Sequence, residues 1–98
     1  MLMFDGESRR FIWDEEKERL NILKHGVSFH EAMRIFEDAK IIIFIDEAHS
    51  TGEDRFFAVG KAGERILTVR FTYRDKKIRI FGAGEWRKGR KRYEEEQK

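Results

Sequence analysis

Apolar residues recur along this chain with two different periods, and the change from one to the other divides it. Phe29, Ala32, Met33 and Phe36 fall at i, i+3, i+4 and i+7, the spacing of one helical face. The preceding Ser28-Phe29-His30-Glu31 fits the S-x-x-E capping box, so a helix is expected from Ser28 to about Asp38. A helix is also expected over residues 14–24. Asp14 suits its N-cap, Leu20 and Leu23 share a face, and Gly26 suits the left-handed residue that stops it. Before it, Phe11-Ile12-Trp13 reads as a short edge strand. Residues 1–10 carry no such pattern and are expected to be loosely held.

From residue 41 onward the pattern is that of strands. IIIFI at 41–45 is apolar on both faces, which predicts an interior strand. The polar stretch DEAHSTGED leads to a strand over residues 55–59, with a turn expected at Gly60, Ala62 and Gly63. RILTVRFTYRDKKIRIF, residues 65–81, then alternates with period two on both sides of a polar gap. It predicts strands at 66–73 and 78–81, with a turn over 74–77. Leu67, Val69, Phe71 and Tyr73 share one face; Ile66, Thr68, Arg70 and Thr72 share the other. A tight turn pairs Tyr73 with Ile78 and Phe71 with Ile80. The opposite face then shows Arg70 across from Phe81, Arg79 across from Thr72, and Lys77 beside Arg74. Gly82 and Gly84 break the last strand, and residues 85–97 read as a helix with an unfavourable Gly89.

Helices gather early and strands late, with hairpin-length gaps between the strands. The expected architecture is α+β: two N-terminal helices packed on one face of an antiparallel sheet, and a C-terminal helix. With 98 residues, one domain over 11–98 is expected.

Charge adds a direction to this picture. Residues 1–50 hold 7 Lys/Arg against 11 Asp/Glu, whereas residues 51–98 hold 14 against 8. Between Arg70 and Arg92 the balance is 10 basic to 2 acidic, enough to draw a polyanion to one end of the chain. There is no cysteine, which excludes disulfides and thiolate metal sites. The N-terminus lacks the apolar run of a signal peptide, and no segment approaches the roughly 20 apolar residues of a membrane span. A soluble, cytoplasmic protein is expected, with no membrane partner.

Arginines interleaved with threonines and an aromatic on a sheet face form a platform for phosphates and bases. They are equally readable as a solvated face paired to Glu53, Asp54 or Glu64. In the tail, Arg87, Lys88, Arg90, Lys91 and Arg92 could track phosphates while Trp86 and Tyr93 stack on bases. The cations lie toward the N-terminal end of that helix, where they oppose its dipole, so helix stability does not explain them. His25, His30 and His49 lack the i, i+4 spacing of a helical metal pair, and neither a metal site nor a cofactor is expected. His25 reads as a packed turn residue and His30 as exposed. His49, near Glu47 and Glu53, is the acid/base candidate. The residues alone leave open a nuclease, a non-catalytic nucleic-acid-binding module and a protein-interaction domain.

The pieces FIWDEEK at 11–17, LKHGVSFHEAMRIFED at 23–38, HSTGEDRFFAVG at 49–60, RILTVRFTYR, IRIFGAG and a terminal RYEE together resemble the BrnT toxins. These are the toxin half of BrnT/BrnA type II toxin-antitoxin modules, with a RelE-like fold. The resemblance implies a metal-independent endoribonuclease that inhibits translation. It also implies a BrnA-like antitoxin with a ribbon-helix-helix DNA-binding domain, through which alone DNA would be met. By position, Arg74, Arg79 and Arg55 match the family's strand arginines, and Lys24, His25 and His49 its KHG and EHS positions. His49, Arg55, Arg74 and Arg79, together with Arg70 from the sheet face, are expected to be catalytic. Lys24, His25, Lys77, Trp86, Arg87, Lys88, Arg90 and Tyr93 are expected to hold RNA. The ending departs from the commoner I-S-A-R: Gly82 replaces the serine and Gly84 the arginine, leaving Arg87 to stand in or cleavage to be reduced.

Overall fold

The structure, a computed structural model, describes residues 10–98. Apart from Arg10, the expectation for residues 1–10 lies outside the described residues. Helix α1 spans Glu15–His25 and starts where expected. Asp14 Oδ1 accepts the N–H groups of Glu16 and Lys17 at 2.8 and 3.1 Å, which holds its carboxyl below the usual range. Gly26, at φ +68°, ends it in the left-handed conformation. Helix α2 covers Phe29–Met33 and tightens into a 3₁₀ turn over Arg34–Glu37. Ser28 Oγ accepts the Glu31 N–H at 3.0 Å, but the returning half of the capping box is diverted. The Glu31 carboxylate instead takes both oxygens to Arg65, at 2.8 and 2.9 Å, and Glu18 of α1 accepts the Phe29 N–H.

Five strands follow: β1 Phe11–Ile12, β2 Ile42–Ile45, β3 Phe56–Ala62, β4 Arg65–Arg74 and β5 Lys77–Gly84, in the order β1-β5-β4-β3-β2. The class is α+β, as expected, but the sheet is mixed, because β1 lies parallel to β5 while the other pairings are antiparallel. β2 is an edge strand, not an interior one. Its two apolar faces have separate causes: Ile42 and Phe44 pack beneath the last helix, whereas Ile43 and Ile45 stay exposed on the other side. Gly60 and Ala62 lie inside β3, and Gly82 and Gly84 inside β5, so neither pair breaks a strand. The β4–β5 hairpin turns on Asp75 and Lys76, both at positive φ, as a type I′ turn requires.

One face of the sheet meets α1 and α2 over a core of Phe11, Trp13, Phe29, Ile35, Leu67, Val69, Phe71 and Ile80. The other face carries helix α3, Arg87–Glu96, whose Tyr93 is buried against Val59 and Ile66. Ile66 and Thr68, assigned from alternation to an open face, are therefore covered. Gly89 makes that approach possible: a Cβ there would stand 2.0 Å from Thr68 Oγ1. The apolar face that Leu20 and Leu23 share does not meet the core. Both are exposed, Leu23 at 70%. α1 meets the sheet through a polar stripe at i, i+4 and i+8 instead: Lys17 beside Phe81, Asn21 on Ala83, and His25 on Trp86.

Candidate nucleic-acid interface

The predicted pairings Phe71–Ile80, Thr72–Arg79 and Tyr73–Ile78 are present, but between Arg70 and Phe71 the register slips. Phe81 is the extra residue of a β-bulge, so Arg70 lies opposite Gly82 and not, as alternation predicted, opposite Phe81. The correction matters for the site. A bulge re-aims its side chain, and Phe81 now sits under two cations, with Arg55 Cζ 4.3 Å and Lys17 Nζ 5.6 Å from the ring centre. Neither Lys17 nor Asn21 was singled out from the sequence. Their spacing with His25 was the available signal.

Arg70, Thr72 and Arg79 share the face opposite the α1/α2 core, beyond the part covered by α3. Arg70 is exposed and Arg79 half-buried, and among the described residues neither has an ion-pair partner. Arg74 at the end of β4 and Arg55 just before β3 differ. Arg74 Nη2 bonds Glu53 Oε1 at 3.2 Å, and Arg55 Nη2 lies 3.4 Å from Glu53 Oε2. Glu53 is held below the ordinary carboxylate range, first by the Arg74 hydrogen bond. The solvated-face reading thus describes Arg55 and Arg74 but not Arg70 and Arg79. Lys77 is half-buried opposite Arg74.

His49 ends a short 3₁₀ turn between β2 and β3, and its Nδ1 lies 2.9 Å from Oδ2 of the buried Asp46. The loop is closed at its base. Asp46 N–H donates to the Arg55 carbonyl at 2.7 Å, and Ser50 Oγ bridges the Asp46 carbonyl and the Arg55 N–H. His49 is thereby tethered to the residue that carries one of the site's guanidinium groups.

At the other end of the face the side chains are aromatic. Trp86 is half-buried, edge-on to His25 with ring centres 5.3 Å apart, and its ring presses on Gly84, where a Cβ would meet it at 2.9 Å. The place where the resemblance expected an arginine is thus filled by an indole. Of the tail cations, Lys88 and Arg92 flank a cavity beside Trp86, and Arg92 stands 4.3 Å over Phe44. Arg90 pairs with Glu94, while Arg87 and Lys24 are exposed. Tyr93, expected to stack on bases, is not available for it. Its ring is buried and its hydroxyl donates to Asp38 Oδ2 at 2.6 Å.

A small α+β fold with a cationic, partly aromatic sheet face, two of whose arginines have no carboxylate partner among the described residues, is of the class that engages nucleic acid. The chain belongs to the BrnT family: the family described as the ribonuclease toxin BrnT of type II toxin-antitoxin systems matches residues 13–89. An antitoxin partner and an RNA substrate follow from that membership. No curated protein matches the chain. No helix among the described residues is long and apolar enough to cross a membrane.

Proposed function

We propose that this chain is a metal-independent endoribonuclease that arrests translation in the cytoplasm by cutting RNA. In this reading a BrnA-like antitoxin with a ribbon-helix-helix domain neutralises it, and DNA is met only through that complex. The observation that carries the reading is the pair Arg70 and Arg79, on one face of neighbouring strands and without a carboxylate among the described residues.

Cleavage by the ribose 2′-hydroxyl needs a base for its proton and cations for the charge that grows on the phosphorane oxygens. Arg70 and Arg79 take the phosphodiester. Arg55, held over Phe81, adds a third guanidinium. Asp46 holds Nδ1 of His49, which leaves Nε2 to take the 2′-hydroxyl proton. The new O2′–P bond forms, the P–O5′ bond breaks, and the 5′-oxygen leaves with a proton drawn from solvent water.

Purified protein incubated with total RNA, with and without chelator, tests this. New 3′ ends bearing a 2′,3′-cyclic phosphate, unchanged by the chelator, are expected. Intact RNA that is shifted in a gel but never cut would replace the enzyme with a binding module.

A further inference from the structure

The cavity between α3 and the sheet has a volume of about 510 Å³, within the range of small-molecule sites. Its walls are Phe44, Phe57, Thr68 and Trp86, and Lys88 and Arg92 stand on α3 beside them. Among the described residues no carboxylate lines it, and Thr68 in its wall is itself buried. Thr68 Oγ1 has no hydrogen-bond partner among the described residues. Such a cavity fits a ligand with a flat, weakly polar body and an anionic edge.

Its position narrows the ligand further. Phe57 lies directly across from Arg70 in the β3–β4 register, so the cavity wall and the proposed phosphate cradle are neighbours. The Arg70 guanidinium lies over Gly82, and the Trp86 ring lies over Gly84 on the same strand face. Two strand residues span roughly 6.6 Å, which sets a cation and an indole side by side along one strand. A chain that alternates phosphates with aromatic bases matches that spacing of chemistry, whereas an apolar peptide leaves the cations unused.

We infer that this cavity is a nucleobase pocket: one unpaired base of single-stranded RNA inserts against Trp86 and Phe57, with its phosphates on Lys88 and Arg92. The inference rests on reading the sheet face as the RNA site and adds to it a determinant of base preference. His25, edge-on to Trp86, fixes the indole from the α1 side as a positioning residue.

The test measures binding of short single-stranded oligonucleotides with 2′-O-methyl riboses, which lack the attacking hydroxyl, either intact or with all bases removed. The intact strand should bind at least roughly tenfold tighter and quench Trp86 emission, in keeping with the worth of one stacked base. Trp86→Ala should erase the difference between the two strands, and Trp86→Phe should retain most of it. Lys88→Ala, an exposed change that leaves the fold alone, should weaken both strands equally. Equal affinity of the wild type for intact and base-free strands overturns the pocket, as does an intact-strand preference that survives Trp86→Ala. Quenching of Trp86 by the antitoxin but by neither strand would also overturn it, making the cavity a protein site. The two readings fail separately. RNA cut by a protein indifferent to bases removes the pocket alone, whereas base-dependent binding without cutting removes the nuclease alone.

Discussion

Arg70 lays its guanidinium 3.3 Å from the point where a Cβ on residue 82 would stand, and Gly82 offers none. The bulge at Phe81 creates this relationship by moving Gly82 opposite Arg70. Without it, alternation would set Phe81 there. Gly82→Val should therefore push the guanidinium aside. Because a long flexible side chain can yield, the expected stability loss is small, below about 1.5 kcal/mol. Cleavage should fall by about 100-fold, as misplacement near 1 Å can cost. Thermal melts beside a cleavage assay separate the two effects.

Arg70→Ala and Arg79→Ala should each lower cleavage by about 100- to 1,000-fold, the usual worth of one preorganised donor to a developing oxyanion. Neither breaks an ion pair among the described residues, so melting temperatures should barely move. Arg74→Ala removes an exposed pair with Glu53, worth at most about 1 kcal/mol, and should leave more activity than either. Equal losses for all three would count against a cradle centred on Arg70 and Arg79.

Gly89→Ala sets helix propensity against packing. In an exposed helix the change should stabilise by about 1 kcal/mol. Here the added Cβ meets Thr68 Oγ1 at 2.0 Å, so α3 must lift, and a net loss of about 1–3 kcal/mol is expected in denaturant melts. Thr68→Ala in the same chain removes the opposing oxygen and should recover much of the loss, giving a non-zero coupling in the double-mutant cycle.

Tyr93 and Asp38 tie α3 to the turn after α2, and the tie is pH-dependent. Burial first, and then the hydrogen bond to Asp38, push the Tyr93 phenol up to about 12. Its folded value lies above the unfolded value of about 10, so it contributes stability that is complete below about pH 10 and lost as pH rises toward 12. Burial alone would raise Asp38, but donors from Tyr93 and the Lys61 and Lys40 N–H groups outweigh it and lower the carboxyl. Its contribution is therefore complete above the ordinary aspartate range and lost as pH falls through it. Tyr93→Phe should cost about 1–3 kcal/mol at neutral pH. It should also flatten the alkaline limb of stability between pH 10 and 12, measured by urea unfolding across that range.

The local signals in this sequence were reliable where one residue acts on its own backbone. Asp14, Gly26 and Ser28 cap as their types dictate, and alternation in β4 and β5, joined through the Thr72–Arg79 pairing, placed Arg70 and Arg79 on a common face. What could not be read was which surface each element meets. Leu20 and Leu23 look like the buried stripe of α1, yet Asn21 holds the helix to β5 by bonding both the carbonyl and N–H of Ala83. Tyr93 and Trp86 are both aromatics beside basic residues. Their different fates follow from Gly89, four residues before Tyr93, whose missing side chain marks the face of α3 that presses on the sheet. The bulge was invisible because a two-residue turn satisfies the register on its near side and says nothing about the far one.

The two borders of the sheet are unlike. One is short: the two-residue β1 covers β5 at Ile78 and Arg79, and the amide of Asn21 takes the main-chain groups of Ala83. The other, β2, pairs with β3 alone among the described residues, and Ile43 and Ile45 are exposed beside it. Among the described residues β2 is the longer of the two borders that a strand from another molecule can join. If that molecule is an identical copy and each offers β2 to the other, the contact is self-complementary and growth stops at a pair instead of running on into a fibre.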